Sequence, residues 1–280
     1  LPGGRLTADQ LAALAHTSAT VGSAALELTG RGNLRIPGVT DAVAVAVAVA
    51  EAGLLPSSNC TIVASPLSGR VGGVADVRAW VTELDAAIRT EPVFAQLPER
   101  FLFSVDDGRD DVSGLDADVG VHVVDDHAAL VLAGRDTGVR LTAGEVVDTV
   151  IAVAMRFVEV RGNALRVSEL ADPSQLWPGA ELGDDFRRVT RSPVGWIEQD
   201  DGRVALGAAV PHGVLSARVA EYLAAIEAPL VVTPWRSMLV CDLDEVVADT
   251  ALRVLAPMGL VFDEDSPWAA IGGGPGDEDF

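Results

Sequence analysis

Apolar positions along the chain recur with two periods, and the switches between them predict the order of elements. Thr7 to Ala15 sets Leu11 and Leu14 on one side of a helix, with Thr7 and Gln10 at the spacing of a capping box. From Leu26 to Val39, LELTGRGNLRIPGV, the period falls to two. Glu27, Thr29, Arg31, Asn33 and Arg35 form one polar row, and Leu26, Leu28, Leu34 and Ile36 face the other way. This predicts a half-buried strand or strand pair; two arginines in one row also suit an anion. Thr40 is placed to cap a second helix through DAVAVAVAVAEAG. Strict Val/Ala alternation there imitates a strand, but the alanine content, the N-cap and the closing Gly53 favour helix.

Asn59 to Arg70 reads as a short strand entering a Ser/Pro/Gly loop, and Asp76 to Thr90 as an amphipathic helix with Val77, Trp80, Val81, Leu84 and Ile88 on one face. LPERFLFSVDDG predicts a strand ending in an Asp-Gly turn. Val119 to Val124 and Ala129 to Ala133 predict a hairpin, and Thr142 with Glu145 a second capping box for a helix reaching about Val160. Residues 161 to 190, with Pro173, Pro178 and several acids, read as a connection. Strands Val194 to Gln199 and Arg203 to Ala208 follow around Asp-Asp-Gly.

The opening pattern then returns. PHGVLSARVAEYLA (Pro211 to Ala224) matches PGGRLTADQLAALA (Pro2 to Ala15) without a gap, pairing Leu6 with Leu215 and Thr7 with Ser216. PLVVTPWRSMLVCDL (Pro229 to Leu243) matches ALELTGRGNLRIPGV, pairing Thr29 with Thr233, and AGLLPSSNCTIVASPLSG is echoed by PMGLVFDEDSPWAAIGGG. Three ordered matches imply an internal duplication with a pseudo-twofold relation, its second copy interrupted at the end of the chain.

Composition narrows the chemistry. Acidic residues outnumber basic ones 41 to 20, a net charge of −21, which argues against nucleic acid as a partner. Every basic side chain apart from histidine is arginine, so lysine Schiff bases and P-loop lysines are excluded. The longest apolar run, Ala42 to Ala50, is too short to span a bilayer, and no signal-peptide pattern opens the chain; a cytoplasmic protein without membrane partner is expected. Two cysteines, Cys60 and Cys241, cannot make a zinc or cluster site by themselves.

LVCDLDEVVADT (Leu239 to Thr250) is similar to the first motif of haloacid-dehalogenase-type phosphohydrolases, with Asp242 as nucleophile and Asp244 as acid/base. That family needs a long following segment with a lysine, and the duplication offers Asp244 as a helix cap instead, which is the stronger reading. The acidic run Asp106 to Asp118 lacks the spacing of a calcium loop and reads as a solvated loop. His122 and His127 read as satisfied or surface histidines, Ser65 as a loop residue, Gly69, Gly72 and Gly73 as a turn, and GGGPGDEDF as a tail; no metal site is expected.

LTGRGNLRIPGV after a capped helix, NCTIVASPLSG, LPERFLFSVDDG, LTPWRSMLV and DSPWAAIG together resemble the nitrite and sulfite reductase family of sirohaem and iron–sulfur proteins, in its precorrin-3B synthase branch of aerobic cobalamin synthesis. The resemblance implies an α+β fold of duplicated ferredoxin-like half-domains with interleaved sheet-and-helix domains. Residues 1–56 would be the first half-domain, 57–160 the first nitrite/sulfite-reductase-type domain, 161–190 a linker, 191–256 the second half-domain and 257–280 the start of the second large domain. It implies dioxygen-dependent hydroxylation of precorrin-3A with lactone formation, a sirohaem-like tetrapyrrole or precorrin, a 4Fe-4S cluster and an electron donor. The alternative is a non-catalytic or degenerate tetrapyrrole binder. Arg31 and Arg100 would hold tetrapyrrole carboxylates or the reacting ligand, with Asn33, Arg35 and Arg236 as further candidates, while Leu102 at the next basic position of the reductase pattern argues against sulfite or nitrite. The family's cluster cysteines have no counterpart here, so the chain is expected to be C-terminally truncated or to have lost its cluster.

Overall fold

The computed structural model describes residues 1–54, 60–186, 189 and 191–270. Asn59, at the head of the NCTIVASP segment, and the glycine-rich tail from Gly272 lie outside the described residues. The chain forms two compact units, unit 1 from Gly3–Pro56 with Thr190–Phe280 and unit 2 from Ser57–Val189.

Strand β1 (Arg5–Leu6) leads directly into helix α1 (Ala8–Val21), whose capping box is complete: Thr7 Oγ1 accepts from Gln10 N at 3.2 Å and Gln10 Oε1 from Thr7 N at 2.9 Å. Strands β2 (Ala25–Leu28) and β3 (Leu34–Arg35) pair antiparallel, setting Glu27 opposite Arg35. The continuous polar row is thereby corrected, because the chain reverses at Thr29. Thr29 Oγ1 accepts from Arg31 N (3.4 Å) and Asn33 N (3.1 Å), Thr29 N donates to Asn33 O (2.9 Å), and Gly32 N donates to Thr29 O (3.1 Å). Gly32 has φ 67°, which glycine adopts without steric cost. Helix α2 (Ala42–Glu51) is helical despite its alternation, but its cap is Asp41 rather than Thr40. Asp41 Oδ1 accepts from Val43 N (3.1 Å) and Ala44 N (3.0 Å), while Thr40 Oγ1 turns back to Val21 O. A carboxylate also gains from the helix dipole, which a hydroxyl does not.

Unit 2 follows with β4 (Cys60–Ala64), α3 (Arg78–Thr90), β5 (Phe101–Asp106), β6 (Val119–Val124), β7 (His127–Leu132), β8 (Arg135–Leu141) and α4 (Val146–Val160). They form one sheet in the order β4-β5-β6-β7-β8, parallel through β6 and antiparallel beyond it. Val81, Leu84 and Ile88 of α3 and Val150, Val153 and Phe157 of α4 bury against Phe101, Phe103, Val105, Val121 and Leu130. The Phe101 ring lies 5.1 Å from those of Phe103 and Phe157. The capping box at Thr142 is corrected: Glu145 Oε2 accepts from Thr142 N at 2.8 Å in the turn before α4, and the helix starts three residues later than that box implied.

The chain re-enters unit 1 through the hairpin β9 (Gly195–Glu198) and β10 (Val204–Ala209), then β11 (Val214–Ser216), α5 (Ala217–Ala224), β12 (Leu230–Val232), β13 (Ser237–Leu243) and α6 (Glu245–Leu255). The order βαββα therefore occurs twice, with Ser216 capping α5 as Thr7 caps α1. Each copy lends its first strand to the other: β1 pairs with β12 and β11 with β2, both antiparallel. The resulting sheets run β1-β12-β13-β10-β9 and β11-β2-β3. Leu11, Leu14, Leu26, Leu215, Leu223, Leu230 and Met238 from both copies share one core. This reciprocal exchange is what a pseudo-twofold duplication requires, and it makes the architecture α+β.

Candidate functional site

The two copies bring two like turns into unit 1. Thr233 repeats the four Thr29 bonds: its Oγ1 accepts from Trp235 N (3.3 Å) and Ser237 N (3.2 Å), its N donates to Ser237 O (2.9 Å), and Arg236 N donates to Thr233 O (3.2 Å); its hydroxyl also bonds that of Ser237 at 2.7 Å. The turns adjoin, since a Cβ on Gly32 would lie 3.0 Å from Val232 O and 3.8 Å from Pro234 N. Turn geometry equates Arg31 with Trp235 and Gly32 with Arg236, so Arg236 is not the counterpart of Arg31.

Arg31 sits half-buried at the apex of the first turn. Asn33 closes that turn and accepts on Oδ1 from the backbone nitrogen of Leu1 at 2.5 Å, a structural engagement. Arg35 is exposed and committed to Glu27, to which its Nε donates at 2.7 Å. Arg100 lies in unit 2, exposed in the turn before β5. The site candidates thus divide between the units: Arg31, Asn33, Arg35 and Arg236 in unit 1, Arg100 in unit 2.

A second polar centre stands at the C-terminal ends of β4 and β5, and it corrects the reading of Asp106 to Asp118 as a solvated loop. Asp106, Asp107 and Asp118 are buried, with at most 1% of each exposed. Asp106 Oδ1 accepts from Gly108 N (3.0 Å) and Asp110 N (3.2 Å), and Oδ2 from Val112 N and Ser113 N, both at 2.9 Å. Its register partner on β6 is His122, whose Nδ1 lies 3.4 Å from Asp106 Oδ1 and 3.0 Å from Ser113 Oγ. Burial opposes the charge on Asp106, but His122 and the Ser113 and Val112 amides prevail and hold its pKa at about 2. The His122 pKa is raised, because Asp106 and Asp110 outweigh the burial that opposes its charge. Asp111 behaves oppositely: burial and the neighbouring Asp106 push it to about 7, against the Ser65 hydrogen bond and Arg109.

Ser65 joins two loops, donating to Asp111 Oδ1 at 2.6 Å and accepting from Asp107 N at 3.0 Å. Arg109 spans the same loops, donating to both oxygens of Asp107 and to Val71 O. Asp118 accepts from Leu102 N, Val167 N and Arg166 Nε at 2.8–2.9 Å. The sequence signal for this centre was Asp106, placed in register with alternate positions of a strand buried along its whole length. His127 is exposed and pairs with Asp126.

Asp242 of the phosphohydrolase-like motif occupies a bulge in β13, with φ 62° and a register shift against β10. It exchanges two hydrogen bonds with the Gln199 amide, at 2.8 and 2.9 Å. Asp244 stands at the N-cap position of α6 but its side chain makes no capping bond. The two thiols are buried, Cys60 in unit 2 and Cys241 in unit 1. A standard 4Fe-4S cluster takes four thiolates, so the residues present do not fit one. Among the described residues no group of three metal-ligating side chains converges, and no helix is long and apolar enough to cross a membrane.

Comparison with known proteins identifies the class of this duplicated fold. Residues 1–50 match the family model of the nitrite/sulfite reductase ferredoxin-like half domain. The structure of Mycobacterium tuberculosis NirA protein superposes with a TM-score of 0.75 over 96% of this chain and 57% of that one, at 19% identity. A precorrin-3B synthase from a Sinorhizobium species is 26% identical over 287 aligned positions, covering 95% of this chain and 62% of that protein. The first copy thus matches a nitrite/sulfite reductase ferredoxin-like half domain, the whole chain has the fold of NirA, and it spans about three fifths of the length of these relatives.

Proposed function

We propose that the chain is a tetrapyrrole-processing oxidoreductase of the precorrin-3B synthase type. The observation that carries this reading is the similarity to a precorrin-3B synthase along 95% of the chain, in order, through both copies of the duplicated fold. The reaction is hydroxylation of precorrin-3A by dioxygen. One oxygen atom enters the substrate, the other leaves as water with two electrons and two protons from an external donor, and a substrate carboxylate then closes the lactone. Sirohaem and an iron–sulfur cluster, where bound in this family, supply the electron-transfer chemistry. Since two thiols do not fit a cluster, no step is assigned to one here.

The chain's own contribution is binding and orientation. Arg31, presented by the Thr29 turn, and Arg100, exposed before β5, hold peripheral carboxylates, each guanidinium offering a planar fork for bidentate contact. Arg35 is a poor candidate because Glu27 already occupies it, and Asn33 acts by closing the turn that presents Arg31. A second reading, tetrapyrrole binding without turnover, draws on the presence of only two thiols in the 280 residues.

Anaerobic titration with precorrin-3A and with sirohaem, followed by absorbance, tests both readings. Arg31→Ala and Arg100→Ala should each weaken binding about tenfold or more, the loss of a charge-assisted hydrogen bond. Unchanged affinity in either variant removes that arginine, and the unit that carries it, from the binding role. Iron content and the visible spectrum after anaerobic reconstitution separate the readings, since a cluster band would overturn the thiol argument.

A further inference from the structure

We infer that a groove between α5 and the end of α6 binds a free medium-chain aliphatic carboxylate, with Arg218 and Tyr222 at the charged head and Val219, Val254 and Met258 under the chain. The groove encloses about 450 Å³, with Ser216, the cap of α5, as its remaining wall. None of its residues belongs to the proposed tetrapyrrole site, so the two readings stand or fall separately.

The inference starts from a difference between the copies. The ungapped match of Pro2–Ala15 with Pro211–Ala224 equates Asp9 with Arg218, Gln10 with Val219 and Ala13 with Tyr222. In the first copy Gln10 Nε2 donates to Ala52 O at 3.4 Å and so ties α1 to the end of α2. Valine at 219 has no group to make that tie, and the groove stands in its place. The charge is reversed as well. Asp9 in the first turn of α1 lies with the helix dipole, whereas Arg218 in the first turn of α5 lies against it.

A cation so placed should take an acid as partner, and the chain offers 41 acidic side chains to 20 basic ones. Among the described residues the Arg218 side chain nevertheless makes no hydrogen bond or ion pair, although Glu221 follows three residues later, and the Tyr222 hydroxyl makes none either. Tyr222 and Val254 each leave 42% of their surface exposed over the groove. These features define the ligand. Its anionic head takes the guanidinium fork and the phenol hydroxyl, and its apolar body covers the two valines and the adaptable Met258 side chain. A net charge of −21 works against an anionic bilayer as the source of that head, which favours the free acid.

Tyr222 is the only tyrosine, so fluorotyrosine labelling of the full chain gives a single fluorine resonance at the groove. Sodium decanoate, below its micelle concentration, should shift that resonance saturably, and decanol should bind about tenfold more weakly or worse. Arg218→Asp, which installs the residue of the first copy, should weaken decanoate about tenfold or more while Tm stays level or rises, because a carboxylate suits the helix terminus. Val219→Gln should weaken it too by placing an amide under the chain. Absence of a saturable shift overturns the site, as does decanoate affinity within twofold of the parent in Arg218→Asp. A fall in Tm of several degrees in that variant would make Arg218 structural and overturns it likewise. Competition by acetate as strong as by decanoate assigns a simple anion and overturns the apolar half of the inference. A shift given by phosphatidylglycerol vesicles and not by decanoate overturns the free acid as occupant.

Discussion

The two units secure their polar features by opposite means. Unit 1 relies on shape: its two threonine turns are fixed by backbone bonds, and its strands are exchanged across glycines that allow main chains to touch. Unit 2 relies on charge, with Asp106, Asp107 and Asp118 removed from solvent and met by amides, His122, Arg109 and Arg166. The difference teaches where each can be perturbed. Close backbone approach does not respond to pH but tolerates no added atom, whereas a buried carboxylate centre keeps its shape under conservative substitution and answers to protonation.

The sharpest break in the comparison is therefore Gly4→Ala. Gly4 has φ 71°, and a Cβ there would lie 1.9 Å from Val232 O, a backbone atom of β12, the strand that receives the exchanged β1. Something must shift, and the expected destabilisation exceeds about 4 kcal/mol, among the largest that single substitutions produce. Its pseudosymmetric partner provides the control. At Gly213 a Cβ would meet Leu28 O at 3.2 Å and the movable Arg236 Cδ at 3.0 Å, so Gly213→Ala should cost only about 1–2 kcal/mol. Hydrogen exchange read separately over the two units, with urea unfolding, checks both; equal effects at the two glycines would mean that the strand exchange is not the sensitive feature.

In unit 2 the corresponding variant is Asp118→Ala. It strands Arg166 and the amides of Leu102 and Val167, and a loss of about 3 kcal/mol confined to unit 2 is expected from breaking one side of a buried pair. Exchange that accelerates equally in unit 1 would contradict the independence of the two schemes.

Much of unit 1 was readable because its signals are local. The Thr7–Gln10 box, the glycine after the Ala/Val helix and the ungapped match of Thr29 with Thr233 each depend on neighbours within a few residues. What could not be read is which strand meets which. Exchange of β1 and β11 between copies follows from tertiary pairing, and the polar row from Glu27 to Arg35 looked continuous because a turn with five alternating residues preserves the phase of the strand. The acidic loop failed for a related reason. Thirteen residues rich in aspartate have the composition of a solvated loop, and only the parallel register of β5 with β6 shows that Asp106 meets His122. Arg31, Arg35 and Arg236 were legible as cations on a repeated segment; that Glu27 claims one and a left-handed turn holds another was not.

pH gives the next, smaller effect. Asp111, raised to about 7, holds its proton in the folded state through a range where the unfolded chain has lost it, so its contribution is complete below about pH 4 and is lost as pH rises through 7. Asp106, held at about 2, has the reverse sign, with stability present above about pH 4 and lost toward pH 2. Unit 2 should thus be most stable in mildly acidic solution. Asp111→Asn keeps an oxygen for the Ser65 hydroxyl and should stabilise unit 2 by roughly 1–3 kcal/mol at pH 8 with little change at pH 4. Denaturation midpoints across that range decide the matter. A residual slope of the same sign belongs to His122, whose raised pKa also withdraws stability as pH increases.

The smallest expected effect tests the claim that unit 1 owes little to charge. Glu27 and Arg35 form its clearest cross-strand ion pair, yet the arginine side chain is 72% exposed. Water screens such a pair and both side chains lose conformational freedom to make it, so a double-mutant cycle between Glu27→Ala and Arg35→Ala should return less than about 1 kcal/mol. The same variants sharpen the site. If Arg35 is held by Glu27, Arg35→Ala should leave precorrin-3A and sirohaem affinity unchanged, and Glu27→Ala, which releases the guanidinium, should leave it unchanged or raise it. A coupling well above 1 kcal/mol would place charge among the supports of unit 1, and a fall in affinity with Arg35→Ala would return that arginine to the binding row from which the hairpin removes it.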